Sequence, residues 1–172
     1  MMNKLKLIIV VTIFLSLLGC ESKQETTFER EDQSQEMIPP PPPKFEIKKQ
    51  ENIDPEIEKE VLAVVNENLE ATRVEDKERV LATIHKESPQ YNSTVKGLEF
   101  VFMNYDLEFF MEKAEVIEVS EDEAKVYYIL ITRSVKGRGF LNKRDEGIHH
   151  LKKQDGKWKI FQTENISTKP IQ

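Results

Sequence analysis

The run of six apolar or aromatic residues from Val126 to Ile131 constrains the fold of this chain most strongly. β-Branched and aromatic residues favour strands, and alternate side chains of a strand lie on opposite faces. One face carries Tyr127, Ile129 and Ile131, and the other carries Val126, Tyr128 and Leu130. Because neither face can be left in water at low cost, the run predicts a central strand that is covered on both sides.

Similar residue types before and after this run predict a four-stranded antiparallel meander. A polar turn at residues 120–123 precedes the central strand, and Gly137-Arg138-Gly139 opens a longer connection after it. Asp155-Gly156 is a strong hairpin signal between the last two strands. The predicted strands are Leu107–Val119, Ala124–Val135, Glu146–Gln154 and Lys157–Thr163.

Three amphipathic helices are predicted before the strands. Asp54 can cap the first helix, and Pro55 suits its first helical position. Gly97 in the third helix lowers helix stability, which indicates a close helix contact there. Apolar residues recur at helical spacing in each of the three helices. They are Ile57, Val61, Val65 and Leu69 in the first helix, Val80, Leu81 and Ile84 in the second, and Val95, Leu98, Phe102 and Tyr105 in the third. The sequence therefore predicts an α+β domain over residues 54–167.

The first 20 residues predict export and lipid attachment. Two lysines precede an apolar stretch from Leu7 to Leu18, which is too short to span a membrane and fits a signal peptide. The sequence Leu17-Leu18-Gly19-Cys20 resembles a bacterial lipobox, in which Cys20 receives the lipid. We expect residues 1–19 to be a lipoprotein signal peptide and the protein to lie outside the cytoplasm, anchored to the cell membrane or the outer membrane. The alternatives are a plain cleaved signal and an amino-terminal membrane anchor.

A tether is predicted between the lipid and the domain. Residues 20–53 are rich in Glu, Gln, Ser and Lys, with too little apolar surface to offset the entropy of ordering, so we expect disorder. The five prolines of Pro39–Pro43 would form a polyproline II rod of roughly 15 Å, at about 3.1 Å per residue. A docking motif for a proline-binding partner is the alternative to a spacer. Residues 168–172 are a short tail.

Composition and charge exclude several classes of function. The chain has 172 residues, which is room for one ordinary domain with extra segments. Its net charge of -6 argues against nucleic-acid binding, which needs clustered Lys and Arg. Cys20 is the only cysteine, so we expect no internal disulfide, and the three histidines lack the paired thiols of a Cys/His zinc site. We expect neither a metal nor a cofactor.

Three helices followed by long antiparallel strands resemble the superfamily of nuclear transport factor 2, ketosteroid isomerase and scytalone dehydratase. The residues that carry the resemblance are Asp76–His85 as the short second helix, Asp122–Val126 at the entry to the central strand, Gly147-Ile148-His149, and Asp155–Ile160. The resemblance implies a cone-shaped, cystatin-like fold in which a curved sheet wraps around a helix-capped pocket. It also implies a homodimer through the outer face of the sheet.

No matched set of catalytic residues is evident, so we predict none. Polar and aromatic residues that could line the implied pocket are Tyr91, Tyr105, Tyr127, Arg133, His149 and Trp158. The alternative is that the aromatic residues belong to the core and that Arg133 lies at a solvated strand end.

Three functions are compatible with these observations. The first is a lipid-anchored, non-enzymatic module of the cell envelope that binds a ligand or another protein. The second is a pocket enzyme of isomerase or dehydratase type with an acid or histidine base. The third is a tethered structural accessory whose sheet face binds a protein. The fold alone does not choose between them, because one fold hosts many activities.

Overall fold

The computed structural model describes residues 46–172, which form three helices followed by a four-stranded antiparallel sheet. The predicted signal peptide, Cys20 and most of the predicted tether lie outside the described residues. The helices are α1 (Pro55–Arg73), α2 (Lys77–Ala82) and α3 (Tyr91–Asn104), and the strands are β1 (Asp106–Val119), β2 (Glu123–Lys136), β3 (Lys143–Gln154) and β4 (Lys157–Pro170). The strands follow one another in the sheet in chain order. The predicted α+β class is confirmed.

Local signals in the sequence set the ends of two elements. The Asp54 carboxylate accepts a hydrogen bond from the Glu56 amide at 2.9 Å, and Pro55 is the first residue of α1. At the tip of the β3–β4 hairpin, Asp155 and Gly156 both have positive φ, at 53° and 73°. That conformation matches the twist of the flanking strands and favours Asp-Gly.

The main core lies between α1 and the sheet. Val61 and Val65 of α1 pack with Val126 of β2 and Leu151 of β3, and all four are at most 2% exposed. Val126 and its even-numbered neighbours on β2 therefore face the helices. The sequence left open which set faces outward, and the structure assigns the outer face to Tyr127 and its odd-numbered neighbours.

A second, smaller apolar cluster lies on the outer face of the sheet. Ile117, Tyr127 and Ile148 form its buried centre, and Ile47 packs against them from the segment before α1. This segment also binds the β1 edge, where Gln50 donates its backbone N–H to the Ile117 carbonyl at 2.8 Å. The last eight residues of the predicted tether thus contact the domain, because Ile47 supplies apolar surface. A homodimer through this outer face stays a prediction.

Helix α3 packs less tightly than the sequence predicts. None of its residues is buried, although the pattern of Val95, Leu98 and Phe102 predicts a buried face. A Cβ atom built at Gly97 would meet nothing within 4 Å, so the close helix contact inferred from this glycine is wrong. The physical reason is that nothing packs on α3 at Gly97 and that the Lys77–Glu99 ion pair through which α3 meets α2 is a polar contact.

Candidate functional site

The six residues predicted to line a pocket lie in separate parts of the domain. Arg133 lines a groove at the start of β1. Trp158 lines a cavity between α1, α2 and β4, and Tyr91 lines a depression beside α2. The Tyr105 ring packs edge-on against Phe140. The two remaining residues, Tyr127 and His149, belong to contacts within the sheet.

His149 packs against the helix-facing side of the sheet. Its ring stacks on Tyr128 with the centroids 4.3 Å apart, and its Nδ1 lies 2.8 Å from Thr163 Oγ1. Burial lowers the pKa of His149 from 6.5 to about 4, because the charged ring would lose its hydration. At neutral pH the ring is therefore uncharged, and its contacts are those of a structural residue.

Tyr127 holds two strands together on the outer face. Its hydroxyl donates a hydrogen bond to Glu146 of β3. Arg144 binds the Glu112 carboxylate at 2.7 Å and lies 3.7 Å from that of Glu146. Burial and the Glu146 carboxylate raise the pKa of Tyr127 to about 12, so this hydroxyl acts as a hydrogen-bond donor and not as a base.

A groove of about 640 Å³ lies at the start of β1. Arg73, at the end of α1, crosses to the sheet there and donates from Nε and Nη2 to the Phe109 carbonyl at 3.1 and 2.8 Å. Arg133 lies opposite Glu108 on the neighbouring strand. The groove is lined by Arg73, Leu107, Glu108, Phe109, Phe110, Ile131 and Arg133.

Six large apolar side chains of the described residues are exposed, and one of them, Phe110, lines this groove. They come from the ends of α1 and α3, the start of β1, the end of β2 and the β2–β3 connection, which meet at one end of the domain. We call the set the apolar end, and it comprises Val74, Phe100, Met103, Phe110, Val135 and Leu141. These residues are between 58% and 81% exposed. Sequence reasoning missed this surface, because its members are far apart in the chain.

Exposed apolar side chains that form a contiguous patch typically mark a contact with another molecule. In residues 46–172 no three His, Cys, Asp or Glu side chains lie close enough together to hold a metal ion. Within the same range, no helix has the length and apolar character needed to cross a membrane.

Comparison with known families identifies the domain. Residues 63–171 match the model of the family described as the C-terminal domain of anti-sigma-I factor RsgI9. The chain belongs to this family. The anti-sigma-I factor RsgI9 of Acetivibrio thermocellus is 40% identical over 73 residues, which are 42% of this chain and 10% of that protein. The chain therefore corresponds to a small part of that relative's length.

Solved structures confirm the fold that the resemblance implies. A ketosteroid isomerase-like protein from Erwinia carotovora atroseptica has a TM-score of 0.51 at 18% identity, over 66% of this chain and 99% of that one. An NTF2-like protein of unknown function from Pseudomonas putida has a TM-score of 0.54 at 12% identity, over 66% of this chain and 88% of that one. At such identities, the likeness to these proteins shows the fold alone.

Membership of the RsgI9 C-terminal domain family overturns the functional prediction. The predicted lipid-anchored envelope module that binds a ligand or a protein is wrong, and so is the isomerase or dehydratase alternative, because the family is that of an anti-sigma factor. The comparisons give no support to a palmitoylated envelope lipoprotein. The lipid-anchored part of the prediction came from residues 1–20, and the binding-module and enzyme alternatives came from a fold that serves many functions.

Proposed function

We propose that this chain is a regulatory protein that takes part in the control of a sigma factor. The observation that carries the proposal is the match of residues 63–171 to the anti-sigma-I factor family. The match includes the whole sheet, α2, α3 and most of α1. The relative's name supplies the sigma factor, and the small shared length makes the extension to this chain a proposal.

The apolar end is the surface through which this regulation acts. Protein interfaces are typically centred on a few exposed aromatic and arginine side chains that bury on contact. Phe110 is 62% exposed, beside the groove that Arg73 and Arg133 line. Arg73 is already fixed by the Phe109 carbonyl and by an ion pair with Glu70, so little side-chain entropy is lost when a partner binds.

The location of the domain decides how this control is exerted. The position outside the cytoplasm that residues 1–20 predict remains a proposal, and Cys20 lies outside the described residues. In the cytoplasm the apolar end would contact the sigma factor itself. Outside it, the control would have to be carried across the membrane.

A transcription reporter in the native host tests the proposal. We expect deletion of this chain to change the output of a promoter that depends on a sigma-I factor, and expression of the full chain to restore it. Reporter output from a promoter of the housekeeping sigma factor is the control and should not change. Unchanged output of both promoters on deletion would refute the proposed function.

A further inference from the structure

The segment before α1 contacts the edge of the sheet as a bound peptide would. β1 is an edge strand, so the N–H and C=O groups along its outer side are available to a further extended segment. Gln50 uses two of them. Its backbone N–H donates to the Ile117 carbonyl at 2.8 Å, and its side-chain Oε1 accepts from the Val119 N–H at 2.9 Å. Hydrogen bonds of this kind at a strand edge are the basis of peptide recognition by strand addition.

Two side chains of the segment make contacts that depend on their identity. Ile47 packs against the apolar cluster on the outer face of the sheet. The Lys49 ammonium group lies between two carboxylates, 3.3 Å from that of Glu58 on α1 and 3.5 Å from that of Glu115 on β1. The surface therefore favours an aliphatic residue that is followed, two positions later, by a cation.

The segment is held loosely. Of residues 46–50, Ile47 is half-buried and the other four are exposed. Ion pairs between exposed groups contribute little to stability, and ordering each residue costs conformational entropy. Asn52, which leads into α1, has a φ of 59°, in the left-handed region that is unfavourable for residues other than glycine. Release of the segment would relax this turn, so another segment can compete for the same contacts.

From these contacts we propose that the end of β1 is a binding site for an extended segment of a partner protein, and that residues 46–50 are its internal competitor. The ligand carries an aliphatic residue and, two positions later, a lysine or arginine, and it pairs with the edge of β1. Binding of the partner releases the segment before α1. The site lies at the opposite end of β1 from Phe110, and the inference does not depend on the proposed function.

A peptide added to a chain whose internal competitor is released tests the site. Ile47→Asp places a charge on the apolar cluster and should release residues 46–50. In the ¹⁵N-labelled full chain, the amide cross-peak of Val119 should then move, because this N–H loses its Gln50 acceptor. A peptide of residues 46–52 with blocked ends should return the peak toward its position in the unmodified chain. For a short flexible peptide we expect a dissociation constant on the order of 1 mM.

Two altered peptides are matched controls. A peptide that carries Ile47→Asp should bind at least about tenfold more weakly, because it loses the apolar contact. A peptide that carries Lys49→Gln should bind about fivefold more weakly, the effect of losing an exposed ion pair. In the unmodified chain the attached segment competes at an effective concentration in the millimolar range. Displacement of its Gln50 amide should therefore need roughly tenfold more of the intact peptide.

Gln50→Pro is a second variant that opens the site. It removes the N–H that binds the Ile117 carbonyl and keeps Ile47. The intact peptide should move the Val119 peak of this variant as well. If it moves that peak in neither variant, or if the altered peptides bind as tightly as the intact one, the proposal is overturned. A mass of the unmodified chain that doubles with concentration, and that Ile47→Asp returns to the monomer, would identify a second copy as the occupant and overturn the assignment to a partner protein.

Discussion

Gly147 of β3 is a position where one methyl group should destabilise the domain strongly. A Cβ atom there would lie 2.4 Å from the Glu164 carbonyl oxygen and 2.7 Å from the Tyr128 hydroxyl. The first neighbour is backbone of the paired strand, so it cannot rotate away. The second belongs to the ring that stacks on His149. Gly147→Ala must therefore displace either a strand or a packed ring.

We expect Gly147→Ala to lower the free energy of unfolding by about 3 kcal/mol, the upper part of the usual range for overpacking. For a domain of this size, that loss corresponds to a fall in Tm of roughly 10 °C. Urea unfolding followed by circular dichroism measures the free energy. Adding Tyr128→Phe to Gly147→Ala should recover only part of the loss, because the contact with the Glu164 carbonyl remains.

Gly97→Ala is the matched control with the opposite sign. The same methyl group at Gly97 meets nothing within 4 Å in the middle of α3. Alanine favours a helix interior over glycine by about 0.5–1 kcal/mol, so this variant should be stabilised by up to that amount. Equal effects of the two substitutions, or a neutral Gly147→Ala, would refute the reasoning from close approach.

Three further predictions follow from His149, from Tyr127 and from the amino terminus. Because the pKa of His149 falls from 6.5 to about 4 on folding, the unfolded chain binds more protons between these values. The contribution of His149 to the free energy of unfolding should thus be complete above pH 6.5 and should decrease by up to about 3 kcal/mol as the pH falls to 4. Urea unfolding of His149→Phe should no longer show this pH dependence. Tyr127→Phe removes the donor to Glu146 and should lower the unfolding free energy by about 1 kcal/mol, whereas an unchanged value would show that solvent replaces the bond. Lipid attachment at Cys20 stays a prediction from the sequence alone, and under it Cys20→Ala should move the protein from the membrane fraction to the soluble or unprocessed pool, whereas a variant that remains lipid-labelled would show that this prediction is wrong.

Features that depend on neighbours in the chain could be predicted from the sequence. The Asp54 cap and the Asp155-Gly156 turn are local, since each depends on the conformational preference of one or two residues. The alternation in Val126–Ile131 likewise predicts a strand with two covered faces. It does not say which face meets the helices, because a shift of one residue exchanges them.

Tertiary contacts explain what the sequence could not predict. Register shifts in β1 after Met111 and Val116 change which side chains share a face, and no residue pattern indicates them. Ile47 lies in a polar segment and gains its partners only when the sheet has formed. The apolar end joins residues from five separate elements, so only the folded chain brings Phe110 and Leu141 to the same end of the domain.

Complementation of the deletion strain tests most directly whether the apolar end carries the regulation. The sigma-I reporter would be measured with the unmodified full chain, with Phe110→Glu, and with Gln162→Glu, which adds a similar charge at an exposed position away from the apolar end. With equal protein levels, we expect Phe110→Glu to reproduce the deletion and Gln162→Glu to restore the normal output. Full restoration by Phe110→Glu would contradict the role of this surface.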